Sequence, residues 1–187
     1  MKTAQSRWLG LAFLAALAAG LLIYAVAQNS GAPDRGKGSN QAMTLAAGGP
    51  VTLENEPARV LLEGSNIVSR VEALPQNQHI FLVLRELHAA EQPGILYHVY
   101  LNLPQDAKPA RGDIHSVGTL NFYNAVPLES GGGSNPGIFR SFDVTALLRN
   151  LAQQKALGDQ ITVTIAPSGT AAANAKASIG RIEIVEQ

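Results

Sequence analysis

The sequence predicts an all-β fold: an antiparallel, jelly-roll-like β-sandwich with one short helix, preceded by an N-terminal hydrophobic helix. Three observations carry this. Beyond residue 50, short apolar runs recur every ~8 to 20 residues, separated by Gly, Pro and Asn turn signals. Only 143–154 repeats its apolar residues at helical spacing, so the crossover helices of a parallel sheet are missing. No GxGxxG follows a strand-like run, which excludes a doubly wound dinucleotide fold.

At the N-terminus, Lys2 and Arg7 precede Trp8–Ala27, a run of twenty apolar or small residues without a charge. As a helix it reaches about 30 Å, enough to cross a bilayer. Residues 1–27 therefore read as a signal peptide or a transmembrane anchor. Ala25-Val26-Ala27 fits the small-x-small pattern before a cleavage point, whereas the length of the run suits a retained anchor that holds the chain on the membrane. Either way the remainder is expected to be exported: periplasmic, membrane-anchored or secreted. The absence of cysteine in an exported chain suggests a bacterial envelope.

Residues 28–49 are rich in Gly, Ser, Asn and Ala and read as a flexible linker. Gly36-Lys37-Gly38 lacks the spacing of a phosphate loop, and no strand precedes it. Residues 50–187 form the expected sandwich domain. Strands are expected at 51–53, 59–63, 67–73, 79–87, 95–103, 117–123, 138–142, 161–166 and 179–185. Along 95–103, Ile95, Tyr97, Val99, Leu101 and Leu103 alternate with Leu96, His98, Tyr100 and Asn102, so the first set faces the core and the second a wetter face. Ile182 and Ile184 mark the buried side of the last strand. The helix at 143–154 carries Leu147, Leu148 and Leu151 on one stripe, with Asp143 or Thr145 as its cap. Between strands, 130–137 is a glycine-rich loop.

The chain has 187 residues, with 14 basic against 14 acidic. This balance excludes a basic nucleic-acid binder, whose affinity needs a concentrated positive field. Without cysteine, zinc-thiolate sites and thiol nucleophiles are excluded.

Five motifs in order resemble the C-terminal β-sandwich domain of the polyphenol oxidase and tyrosinase-like family. They are Val99-Tyr100-Leu101-Asn102, Gly118-Thr119-Leu120, Val144-Thr145-Ala146-Leu147-Leu148, Val163-Thr164-Ile165-Ala166-Pro167 and Ile179-Gly180-Arg181-Ile182-Glu183-Ile184. The resemblance covers 79–187. In that family a separate domain holds two coppers with six histidines, and the C-terminal domain packs over it and shields its entrance. This chain is similar to the auxiliary domain standing alone. The resemblance implies a non-catalytic accessory protein that docks on or matures a partner, a tyrosinase-like copper oxidase. An envelope module binding carbohydrate or another small ligand is the alternative.

No catalytic, cofactor or metal-ligating residue is assigned. The histidines are His79, His88, His98 and His115, and none has ligand spacing to another. His88 and His98 would approach only through a hairpin at Pro93-Gly94, with Glu91 beside them. Glu86 and Glu91 lack the aromatic cleft of a glycosidase pair, and Ser134 lies in the glycine loop rather than in a nucleophile elbow. Tyr97, Tyr100, Phe122 and Tyr123 offer a sugar-stacking or partner-binding patch, with core or cross-strand packing the main expectation and at most one of Tyr97 and Tyr100 in any one patch. The candidate partner surface is the wetter face of the 95–103 strand with the 130–137 loop, and its residues are Tyr100 and His98 on that strand with His88 and Glu91 before it.

Overall fold

Alternation decides which side of a strand is buried, and the strands at 97–101 and 138–143 and the last stretch of the strand at 178–186 follow it. The computed structural model describes residues 42–110, 112–125, 138–158 and 160–187. The expected N-terminal helix and the 130–137 loop lie outside the described residues. Among the described residues no helix is long and apolar enough to cross a membrane.

Among the described residues nine strands form one antiparallel sheet: β1 Met43–Gly48, β2 Val51–Thr52, β3 Ala58–Gly64, β4 Ile80–His88, β5 Tyr97–Leu101, β6 Ser116–Leu120, β7 Ile138–Asp143, β8 Ile161–Pro167 and β9 Ser178–Glu186. The order is β6-β5-β8-β3-β1-β9-β4-β7, with β2 added on β9. The sheet rolls so that its two halves enclose one core and its terminal strands meet. A Cβ placed on Gly118 of β6 would lie 3.0 Å from the Phe142 ring of β7. This is the expected sandwich-like all-β fold, nearly closed into a barrel.

The core draws on both halves: Leu62, Val99, Leu101, Val163 and Ile165 from one, Leu82, Leu84, Ile182 and Ile184 from the other. Helix α2, Thr145–Gln153, buries Leu148 and Leu151 in it, as the leucine stripe requires. Its N-cap is Val144, without a side-chain cap bond, rather than Asp143 or Thr145; Asp143, one residue earlier, has its Oδ1 accept the Thr145 amide at 2.9 Å.

Two segments differ from the sequence reading. Residues 67–73 are a helix, α1 Ile67–Ala73, not a strand. Ile67 and Val71 are both buried while Ser69 between them is exposed, the spacing of one helical face rather than the every-second-residue burial of a strand. Residues 43–48 are not linker but β1, paired with β3 and β9. Its small residues are demanded by close approach: a Cβ on Gly64 would lie 2.6 Å from the Ala46 Cβ, and one on Gly48 2.7 Å from the Leu61 carbonyl.

A phase slip marks β4 and β9. Leu84 and Leu87 both face the core, as do Ile182 and Ile179, although each pair is three residues apart. The slip falls at Glu86, whose φ of 56° is left-handed, opposite Gly180. Glu86 lies where a side chain on residue 180 would stand, so only glycine fits there.

Candidate functional site

On β5, Tyr97, Val99 and Leu101 enter the core while His98 and Tyr100 face outward. Tyr97 packs edge-on against Phe122, with ring centroids 5.5 Å apart. Burial pushes its phenol above the ordinary value.

Tyr100 is not the exposed aromatic expected of a partner surface. It is 1% exposed, in a small second cluster with Leu103 and Ala166. The cause is the loop after β5. Arg59, which shares a row with Thr164 and Tyr100 across β3, β8 and β5, donates to the carbonyls of Leu103, Pro104 and Gln105 at 2.8–3.1 Å. That grip folds the loop over the outward face. Asn102 contributes as well: its Oδ1 accepts the Thr162 amide at 2.8 Å.

His88 and His98 do not meet through a hairpin. β4 lies between β9 and β7, and β5 lies between β8 and β6, in opposite halves of the sheet. His98 Nδ1 lies 3.5 Å from the Thr119 hydroxyl. It lines a hollow of about 340 Å³ with Tyr100, Gly112, Ser116, Gly118 and Thr119. His115 is buried, its Nδ1 2.8 Å from the Leu101 carbonyl. His79 pairs with Asp143 at 2.8 Å. Burial pushes the Asp143 carboxyl up, but hydrogen bonds from Thr145 and His79 and the charge of His79 outweigh it, and the carboxyl lies below its ordinary value.

Beyond Thr119 the outward positions continue as Asn121 and Tyr123. The chain turns at Phe122–Ala125, where the Ala125 amide donates to the Phe122 carbonyl at 3.0 Å and Asn124 is left-handed. Phe122 is buried and anchors the turn, which leaves Tyr123 69% exposed. Phe139, on the neighbouring terminal strand β7, is 59% exposed. Arg140 joins the two: its guanidinium donates to the Phe139 carbonyl at 3.1 Å, the Tyr123 carbonyl at 3.4 Å and Asn121 Oδ1 at 3.5 Å.

The loop carrying Glu91 reaches the same turn. The Ala89 amide donates to the Ala125 carbonyl at 3.1 Å, and Gln92 Nε2 to the Phe122 carbonyl at 3.2 Å. His88 and Glu91 thus border the 122–125 turn from one half while His98 approaches along β5 and β6 from the other. The sequence reading had Tyr123 as packing and missed Phe139 and Arg140. Their signal was an aromatic beside an arginine in β7, where Phe139 stands with Ser141 and Asp143 on the exposed side and Arg140 lies half-buried with Ile138 and Phe142 on the other.

Fold and site together define a small β-sandwich module whose exposed chemistry is aromatic, amide and guanidinium. Among the described residues no group of three His, Asp or Glu side chains converges to hold a metal ion. The chain belongs to the family described as Domain of unknown function (DUF7868), which matches residues 37–187. No curated protein matches the sequence. Similar solved structures are a recombinantly expressed latent aurone synthase (polyphenol oxidase), 18% identical with a TM-score of 0.48 over 72% of this chain and 25% of that one, and latent apple tyrosinase, 17% identical with a TM-score of 0.47 over 74% and 27%. The chain spans about a quarter of the length of either. A likeness of that size carries no argument about activity.

Proposed function

We propose that this chain is a non-catalytic accessory protein, exported across a membrane, that docks on a separate tyrosinase-like copper oxidase. The observation that carries docking is the strip from His98 through Thr119, Asn121 and Tyr123 to Phe139, held by Arg140. Two rings stand in solvent, and one guanidinium fixes the backbone beneath both. Tyr and Arg at the centre of a preorganised patch are what protein interfaces use as anchors. The ordered motifs of the sequence suggest the partner: they fall on β5, β6, α2, β8 and β9. His98, His88 and Glu91 rim the strip, and Tyr100 supports it from beneath the loop rather than by contact.

The test mixes the purified chain with the copper domain of a tyrosinase-like oxidase and follows diphenol oxidation. Lowered turnover that Tyr123→Ala and Phe139→Ala relieve supports docking; turnover unchanged at excess chain overturns it. Exposed rings beside an amide and a guanidinium also suit sugar stacking, which is the second reading. Retention on polysaccharide columns, lost in the same variants, with no effect on the oxidase, selects it.

A further inference from the structure

The other half of the sheet carries a polar cluster that the docking strip does not use. Arg85 of β4 and Arg181 of β9 are direct cross-strand partners. Like charges so placed repel unless an anion lies between them. Glu183 is that anion. Its Oε2 accepts Nε of Arg85 at 2.6 Å and its Oε1 accepts Nε of Arg181 at 2.7 Å. The carboxylate is buried, with 8% of its side chain exposed, whereas the arginine side chains are 47% and 55% exposed.

Among the described residues both arginines are held by Nε alone. Among the described residues no η nitrogen of either donates a hydrogen bond. A guanidinium is a rigid fork, so anchoring one donor fixes where the others lie. One buried carboxylate therefore orients two cations and neutralises only one of them. Beside Arg181 the ground is open: Ala47, Gly48, Gly49 and Gly180 line a hollow of about 350 Å³ that Arg181 and Glu86 share.

We propose that Arg85 and Arg181 bind a tetrahedral oxyanion, phosphate or sulfate, through their η nitrogens. Two forks offer more donors than the lone pairs of one carboxylate can take, and a group with three or four oxygens uses both. Glu86 is the opposing charge. Its carboxylate is on the wall of the same hollow, so it weakens anion binding and provides an internal check. This site does not depend on the docking reading, since it lies on β4 and β9 rather than on the β5–β6–β7 strip.

The full chain is titrated calorimetrically with inorganic phosphate and, separately, with sulfate, at ionic strength matched by chloride. Saturable binding is expected, weakened at least about tenfold by Arg85→Gln or Arg181→Gln, each of which removes charge-assisted donors, and tightened by Glu86→Gln. The stronger of the two titrations identifies the anion. Each single variant leaves Glu183 with one guanidinium, which keeps the fold. Should either still fail to fold, Arg85→Lys and Arg181→Lys retain the charge but lose the fork, and the same weakening is expected. No saturable binding of either anion, or binding equal in the wild type and all arginine variants, overturns the proposal.

Discussion

The two halves of the rolled sheet share one core but cover their outer faces by different means. Over β3, β8 and β5 the cover is a loop: Arg59 grips three carbonyls and lays residues 102–107 across Tyr100 and Thr164. Over β4 and β9 it is a set of ion pairs, with Glu183 under Arg85 and Arg181 and Glu186 taken by both ends of Arg70. A loop cover excludes water with main chain and leaves little charge at the surface. An ion-pair cover leaves guanidinium groups in solvent. The difference teaches that a buried outer residue is no proof of a second core: Tyr100 and Glu183 are both buried, one by apolar enclosure and one by counter-charge.

The largest effect should come from the core, where the halves do not differ. Ile184→Ala in β9 and Ile165→Ala in β8 are each expected to cost about 2 to 4 kcal/mol through lost burial and a cavity. Denaturation midpoints that fall together mean one shared core; a loss confined to one variant breaks the comparison at its base.

Next is the ion-pair cover. Glu183→Gln removes two charge-assisted hydrogen bonds and leaves two arginines opposed; because those arginines regain water, the expected loss is about 2 kcal/mol. Burial pushes the Glu183 carboxyl up, but the hydrogen bonds and charges of Arg85 and Arg181 outweigh it and hold it below its ordinary value. A depressed folded value contributes stability that is complete above the unfolded value and is lost as pH falls through the folded one. Stability should therefore decline as pH drops below the usual carboxylate range, and Glu183→Gln should flatten that decline. An equally steep decline in the variant would assign the acid sensitivity elsewhere.

Arg59→Ala tests the loop cover. It should cost about 1 kcal/mol, without acid dependence, and its signature is local: faster hydrogen exchange across 100–107 with unchanged exchange in β4 and β9. Exchange that rises in both halves would show that the covers are coupled.

The smallest effect belongs to Asp143, at the rim between β7 and α2. Asp143→Ala removes the acceptor of the Thr145 amide and should cost about 1 kcal/mol or less. The half-exposed His79 pair adds little to this because solvent screens it. Thermal unfolding followed by helix signal checks it.

Most of the fold was legible where period and chemistry agreed. The strands β4, β5, β8 and β9 and the leucine stripe of α2 are strong patterns, and the core residues Val99, Leu101, Ile182 and Ile184 follow from alternation. β1 was illegible because the contact it makes requires Ala46 and Gly48, the same residues that make a linker. α1 was misread because Ile67, Val68 and Val71 are β-branched and satisfy both periods over seven residues. Of the site, alternation placed His98 outward correctly. It placed Tyr100 outward too, and could not foresee that a loop anchored by Arg59, more than forty residues earlier, would cover it. The arginines of the ion-pair cover stood in view as charges inside apolar strands, but their pairing depends on register, which no single strand contains.

The meeting of β6 and β7 at Gly118 and Phe142 bears on how the molecule behaves in a crowd. A sheet of nine strands has two terminal edges, and an unpaired edge is a template on which another chain can add. Here the last strand at one end faces the last strand at the other across a gap that one phenyl ring fills. Where the two edges approach at Gly118, a third strand has less room to add, and the domain gains resistance to self-association there without extra charge. Gly118 is the point at which that protection is weakest: a branched side chain there would drive the ring out and part the two edges, and the first sign would be aggregates with growing β content rather than a lower unfolding midpoint.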